Sequence, residues 1–278
     1  SQPKEEAIAV IGLACRLHGA QSVEEFWSNL VGKVDSIGDV PAERSDWYAS
    51  LGEESGSSGR RLGGFLEGVD RFDPAFFGLS LREAKRMDPQ QRLLLEVAWE
   101  TLERAGYRPD ALGRCGVFIG ASTLEYLAYL SQIGEQIDPH TGSGNSLTML
   151  ANRISYLFNW HGPSLALDTA CSSSLAAVHL ACRSLIDGEA ETALAGGVHL
   201  MFSHGGSDVC GEAGMMAADG RCKTFDDRAD GYVRSEGVAT VLLKPLAAAQ
   251  RDGDDIWAVI RGTAMNHDGH DKVGLTAP

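Results

Sequence analysis

The chain has 278 residues, 44% hydrophobic and 22% charged, a composition suited to a soluble globular protein with a substantial core. With 24 basic against 38 acidic residues the net charge is −14, which argues against a partner held by its phosphates, DNA and RNA above all. No apolar run approaches the about 18 residues of a membrane span, and the first ten residues, SQPKEEAIAV, show no secretory signal, so a cytoplasmic location is expected.

In chain order, AIAVIGL (Ala7–Leu13) reads as a buried strand. A helix follows, with Ser22 as N-cap, Glu25 completing a capping box, and Val23, Phe26, Trp27 and Leu30 on one face. Pro41–Gly64 is polar and rich in Gly and Ser, an exposed loop within one domain. Asp88-Pro89 opens the clearest helix, which runs through QQRLLLEVAWETLERA to a stop at Gly106. Trp99 and Leu93–Leu95 are its core residues.

Next come a strand at Gly116–Gly120, a helix near Thr123–Gln132, a Gly-rich turn at 142–144 and a helix at Ser146–Phe158. Gly162-Pro163 breaks the chain before the strand Ser164–Asp168. The remainder reads as a helix Ser172–Ile186, strands Thr192–Leu200 and Gly237–Lys244, a short helix Leu246–Arg251 and a strand Ile256–Gly262. This alternation predicts an α/β layered fold with a largely parallel sheet. No internal repeat of 20–50 residues is visible.

Six cysteines, at 15, 115, 171, 182, 210 and 222, contain no CxxC pair and fit free thiols in a reducing compartment. Five of them can serve as buried small hydrophobes. Cys171 differs in its setting, between the strand ending at Asp168 and the helix starting near Ser172. Unpaired N–H groups and the dipole at a helix start favour a thiolate, the nucleophilic form of cysteine. Ser172, Ser173 and Ser174 suit a helix start. The helix behind them is apolar nearly all round, which predicts a place between layers, with Cys171 near the bottom of a cavity. Two readings of the residue follow from the physics, an activated nucleophile or an inert buried thiol.

The stretch DTACSSSLAAVHLA resembles the active-site signature of polyketide-synthase ketosynthases. MDPQQRLLLEVAWETLERAG (87–106), GVFIGAS (116–122), ANRISYLFNWHGPS (151–164), LAGGVHLM (194–201), GRCKTFDDRADGYVRSEG (220–237) and AVIRGTAMNHDG (258–269) agree in order. The resemblance covers almost the whole chain. It implies a thiolase-like layered α-β-α fold, of which residues 1–250 or so form the N-terminal half and about 251–278 begin the second half. It implies that Cys171 accepts an acyl chain from the phosphopantetheine arm of an acyl carrier protein. A decarboxylative Claisen condensation with a malonyl-type extender then lengthens that chain. Covalent loading splits one hard transfer into two easier ones, and the backbone N–H of Cys171 is expected to help stabilise the oxyanion.

The resemblance further implies a homodimer working beside neighbouring polyketide-synthase domains, with no bound cofactor and no metal. The two histidines that assist condensation in the family, in HGTGT-type and NxGH-type motifs, belong after Pro278, as does a second oxyanion donor. A ketosynthase that only accepts and passes on acyl chains, or scaffolds the assembly line, is the alternative. A Cys hydrolase is a weaker one, because CSSS is unlike CGSC[WY] and no His/Asn partner can be placed.

None of the eight histidines is given a catalytic role. His179 lies more than two turns into its helix, about 12 Å along the axis from Cys171, and reads as a packed or hydrogen-bonded residue. His199 belongs in or beside a strand, His161 and His204 to loops, and His18 and His140 have no chemical context. His267 and His270, with Asp268 and Asp271, read as a turn around Gly269 rather than a metal cluster. Gly196-Gly197 reads as close helix packing rather than a phosphate loop. Asp226, Asp227, Asp230 and Glu236 read as a solvated or hydrogen-bonded loop rather than a cation site.

Overall fold

The computed structural model describes residues 7–44, 47, 62–203 and 205–271. Most of the expected loop at Pro41–Gly64, with the Gly/Ser tract at 52–59, lies outside the described residues, as do His204 and the terminal VGLTAP.

Six strands form one sheet: β1 (Ile8–Leu17), β2 (Cys115–Gly120), β3 (Ser164–Leu167), β4 (Thr192–His199), β5 (Gly237–Pro245) and β6 (Ala258–Ile260), in the order β3-β2-β4-β5-β1-β6. The expectation of a largely parallel sheet needs correction. β2 runs parallel to β3 and β4, but β4–β5, β5–β1 and β1–β6 are antiparallel. Alternating elements signal layers; they do not say in which direction the long connection from β4 to β5 returns the chain.

Helix packing follows the two-residue period of the strands. Val117 and Ile119 of β2 face a core shared with α3 (Pro89–Ala105) and α6 (Met149–Phe158). Phe118, between them, faces the opposite core with Ala177, Ala181, Cys182 and Leu185 of α7 (Ser173–Ile186). In β1 the irregularity between Val10 and Gly12 reverses this parity, so Ile11 and Ala14 share one face. The result is an α-β-α arrangement with the larger core under α3.

The caps of α3 are the expected ones. The Asp88 carboxylate accepts the Gln90 N–H at 2.8 Å, Pro89 opens the first turn, and Gly106 closes the helix at φ 73°. In α1 (Val23–Gly32) the Ser22 hydroxyl caps Glu25, but the Glu25 carboxylate reaches back to Gln21 N–H rather than to Ser22. The apolar face of this helix stays outside the core, with Trp27 66% and Leu30 55% exposed.

The remaining helices are α2 (Leu81–Arg86), α4 (Tyr126–Gln132), α5 (Pro139–Gly144), α8 (Gly205–Glu212) and α9 (Leu246–Asp252). α5 occupies the place expected to be a Gly-rich turn. A capping box between Asp138 and Thr141 starts it, and Gly144 packs so tightly that a Cβ there would lie 2.3 Å from the Arg86 carbonyl oxygen.

Two buried polar links tie distant segments together. Arg44 and Glu236, both essentially inaccessible, pair in bidentate fashion at 2.5 and 2.7 Å. The same carboxylate accepts the Leu66 and Met201 N–H groups, each at 2.8 Å, so its lone pairs are well used. Thr101 of α3 and Thr240 of β5 share a hydroxyl hydrogen bond of 2.6 Å through the larger core.

Candidate active site

The carboxyl ends of the three parallel strands meet in one row, since Gly120 of β2 pairs with Leu167 of β3 and Gly197 of β4. Such a row is where α/β proteins place ligands. α7 begins directly on it. A Cβ on Gly120 would lie 2.4 Å from the Ser173 carbonyl carbon and 2.5 Å from Ser174 N, and one on Gly197 would lie 2.9 Å from Ser174 Cβ. Gly120 and Gly197 let the helix start descend onto the sheet, as close helix packing predicts for Gly197, whereas Gly196 lies against β5, where a Cβ would be 2.1 Å from the Ala239 carbonyl oxygen.

The turn between β3 and α7 is held by its own side chains. Asp168 Oδ1 accepts Ser122 Oγ–H at 3.0 Å and Ala170 N–H at 2.8 Å. Ser173 Oγ accepts Thr169 N–H at 2.9 Å and donates to the Ala170 carbonyl at 2.7 Å. Ser172 Oγ donates to the Thr169 carbonyl at 2.9 Å. Ala170 has φ 55°, a left-handed conformation that costs a non-glycine residue about 1 kcal/mol. These bonds hold it there and set Cys171 immediately before the helix.

Cys171 is exposed, which corrects the expectation of a site at the bottom of a cavity. α7 is buried on its sheet side, through Ala176, Ala177, Ala181 and Leu185, while Leu175 is 75% exposed on the other. An all-apolar helix needs layers on both sides, and the described residues supply one.

The other thiols separate by burial. Burial pushes Cys115 up to about 12 and Cys182 up to about 11, and it raises Cys15 as well, so these three stay protonated. Cys210 is half-buried and Cys222 exposed, so three of the five expected buried thiols are buried. Tyr232 O–H donates to Cys210 Sγ at 3.1 Å. Burial, that hydrogen bond and the nearby Cys210 and Cys171 charges push the phenol up to about 12, against Arg234.

Of the histidines, His199 is drawn into the vicinity. Arg234 Nη2–H donates to its Nε2 at 3.3 Å, which leaves the ring proton on Nδ1. Burial and the adjacent guanidinium both lower its pKa, so the ring is neutral. His179 Nδ1 is 2.8 Å from Thr263 Oγ1, the hydrogen-bonded role expected for it. His267 and His270 fall in a turn, with His267 Nδ1 accepting the Gly269 N–H. Among the described residues no group of three or more His, Cys, Asp and Glu is placed to hold a metal. In the acidic set, Glu236 is the buried partner of Arg44, Asp226 pairs with Arg228, and Asp230 pairs with Lys223.

The expected core helix also has a polar task that periodicity does not reveal. Gln90 donates to the Thr123 carbonyl beyond β2 and accepts the Leu200 N–H beyond β4. Gln91 donates to the Gly144 carbonyl and accepts from Arg153 Nε–H. Glu125 accepts the Phe202 and Ser203 N–H groups. The helix start therefore braces both loops that flank the row of strand ends. The available signal is the pair of amides ahead of the apolar Leu93–Leu95, since a buried amide demands partners. A separate cleft of about 620 Å³, lined by Glu43, Leu66, Phe72, Leu93 and Glu96 among others, includes no residue of the Cys171 turn.

Comparison with known proteins gives this arrangement a family. The family described as Beta-ketoacyl synthase, N-terminal domain, matches residues 5–249. Polyketide synthase ThaG of Burkholderia thailandensis is 45% identical over 100% of this chain and 5% of its own length. Erythronolide synthase EryA2 of Saccharopolyspora erythraea is 45% identical over 99% of this chain and 8% of its own. Among solved structures, the ketosynthase from module 6 of the bacillaene synthase of Bacillus subtilis superposes with a TM-score of 0.86 at 38% identity. That match covers 98% of this chain and 45% of the ketosynthase. The chain belongs to the β-ketoacyl synthase family, as the N-terminal domain of a polyketide-synthase ketosynthase with the thiolase-like fold. It spans under half of the solved ketosynthase and a small part of the curated relatives.

Proposed function

We propose that Cys171 is the nucleophile of a condensing acyltransferase and that its thiolate takes an acyl chain from a carrier-protein phosphopantetheine thioester. The observation that carries this reading is the placement of an exposed thiol on a strained, hydrogen-bonded turn, at the start of α7 and over the carboxyl ends of β2, β3 and β4. In the loading step the sulfur attacks the thioester carbonyl, the tetrahedral oxyanion collapses, and the phosphopantetheine thiol leaves. The Cys171 N–H is the proposed oxyanion donor in this chain. Decarboxylation of a malonyl-type unit and attack of its carbanion on the Cys171 thioester complete a Claisen condensation, with assistance from groups outside these residues.

Homodimerisation, neighbouring polyketide-synthase domains and a cytoplasmic setting belong to the same proposal. β3 supports the dimer, as an edge strand whose Leu165 is 46% exposed. The division near residue 250 is also part of it; β6, from the later segment, adds to the sheet beside β1. No described helix is long and apolar enough to cross a membrane.

Incubation with an acyl thioester followed by intact-mass measurement tests the loading step. A single acyl adduct that disappears in Cys171→Ala is expected. An unchanged mass, or equal labelling of that variant, would sink the reading.

A further inference from the structure

Two serines at the head of α7 point away from the helix they begin. Ser172, its N-cap residue, makes no side-chain hydrogen bond to a helix N–H, and its Oγ–H donates back to the Thr169 carbonyl at 2.9 Å. Ser173 Oγ turns back as well, accepting Thr169 N–H at 2.9 Å and donating to the Ala170 carbonyl at 2.7 Å. A serine at a helix start ordinarily offers its oxygen to an N–H two or three residues ahead. Here both hydroxyls hold the turn before Cys171. Ser173 does so from within, being only 5% exposed, whereas Cys171 is exposed.

The Ala170 carbonyl receives a second bond, from the Ser173 N–H at 3.1 Å. That carbonyl and the Cys171 N–H belong to one peptide group. Among the described residues no peptide bond is cis, so the two point in opposite directions across a planar group. Holding the carbonyl toward Ser173 therefore aims the Cys171 N–H away from the buried helix start. The clamp is needed because Ala170, at φ 55°, sits in a left-handed conformation from which a non-glycine residue tends to relax.

We propose that Ser173 is a positioning residue: its hydroxyl clamps the Ala170 carbonyl and so aims the Cys171 N–H at the thioester oxygen that becomes the oxyanion. The proposal rests on the acyl-loading reading of Cys171. In that step the sulfur attacks the thioester carbonyl carbon and the C–O π pair moves onto oxygen. The pair then returns and expels the departing thiolate. The N–H aimed by Ser173 donates to that oxygen while it carries the charge. Alkylation by iodoacetamide makes no such demand, because the same sulfur displaces iodide from a saturated carbon and no oxyanion forms.

The test compares those two reactions in the full-length protein, read by mass spectrometry on the peptide that carries Cys171. The probes are the acetyl thioester of N-acetylcysteamine and iodoacetamide. Ser173→Ala is expected to slow acetylation about ten- to hundredfold, while alkylation, which draws on the thiolate alone, stays within about twofold of wild type. Ser173→Thr and Ser173→Val, alike in shape but different in the hydroxyl, repeat the comparison and carry it if the alanine variant fails to fold; the threonine variant should acetylate the faster. Acetylation unchanged in Ser173→Ala overturns the proposal, as does an equal fall in both reactions, which would mean that the thiol itself has moved. A threonine variant no faster than the valine one overturns it too. A wild-type protein that alkylates but takes no acetyl group sinks the loading reading and this proposal with it. A normally acetylated wild type with any of the overturning results sinks this proposal alone.

Discussion

Gly120 and Ser173 are in contact through the space a side chain would fill, since a Cβ on Gly120 would lie 2.4 Å from the Ser173 carbonyl carbon. Both partners are backbone, one in a central strand and the other in the first turn of α7. Neither can yield without moving the segment that presents Cys171.

Gly120→Ala is therefore expected to lower the rate of Cys171 acylation about a hundredfold, the order of effect of a misplacement near one ångström. The accompanying loss of stability should be about 1–3 kcal/mol, an overpacking cost. Intact-mass kinetics and a thermal melt read the two effects separately. Acylation at the wild-type rate would show that the contact does not place the thiol.

The Arg44–Glu236 pair should behave as a buried ion pair whose partners cannot be removed singly. Glu236→Gln or Arg44→Met is expected to cost about 3–5 kcal/mol, while the double variant recovers part of that loss because no charge is left alone. Urea denaturation of the four proteins gives the coupling. Additive losses would count against it.

Asp88 gives a pH dependence of definite sign. Burial raises its carboxyl to about 6, against the lowering effect of its hydrogen bond from Gln90. The folded state therefore binds a proton more readily than the unfolded chain, whose value is about 3.9. The stabilisation from this group is fully present below about pH 3.9 and is lost as pH rises through about 6. Asp88→Asn keeps an N-cap acceptor and has no charge to bury. It is expected to be more stable than wild type at about pH 7.5 by on the order of 2 kcal/mol, the gap closing toward about pH 4. Melting curves across that range check it, and a gap that widens on acidification would reverse the assignment.

Gln90→Ala should loosen two loops at once, because one amide holds the Thr123 carbonyl and the Leu200 N–H. A loss of about 1–3 kcal/mol is expected, as for stranded buried partners. Hydrogen exchange should quicken in both 121–125 and 200–203, and quickening confined to one would show that the loops are not braced together.

The parts of this fold that were legible in the sequence are those whose chemistry is local. Asp88, Pro89 and Gly106 mark the ends of α3 because caps are made by the residues that stand there. The strand–turn–helix at Cys171 was legible for the same reason: a short branched-apolar run, a break, and three serines before an apolar helix. Less local decisions were missed. The 142–144 turn is the end of a helix because Asp138 and Thr141 cap one another upstream and Gly144 lies against Arg86. α1 shows a clear apolar face, yet Phe26, Trp27 and Leu30 find no layer among the described residues. The amide pair at 90–91 reads only as part of the helix run, and its partners lie far away in sequence.

By itself, then, the sequence determined the six strands and most of the helices, the capped ends of α3, and the thiol at the head of α7. Each depends on periodicity and capping within a few neighbouring residues. Its motifs also pointed to the family. Only the tertiary structure decided that β5 returns antiparallel to β4, that Gly120 and Gly197 admit the helix start, and that Cys171 stands exposed. Those relations join residues tens of positions apart, and they are set by which surfaces can be buried together rather than by the preferences of any one segment.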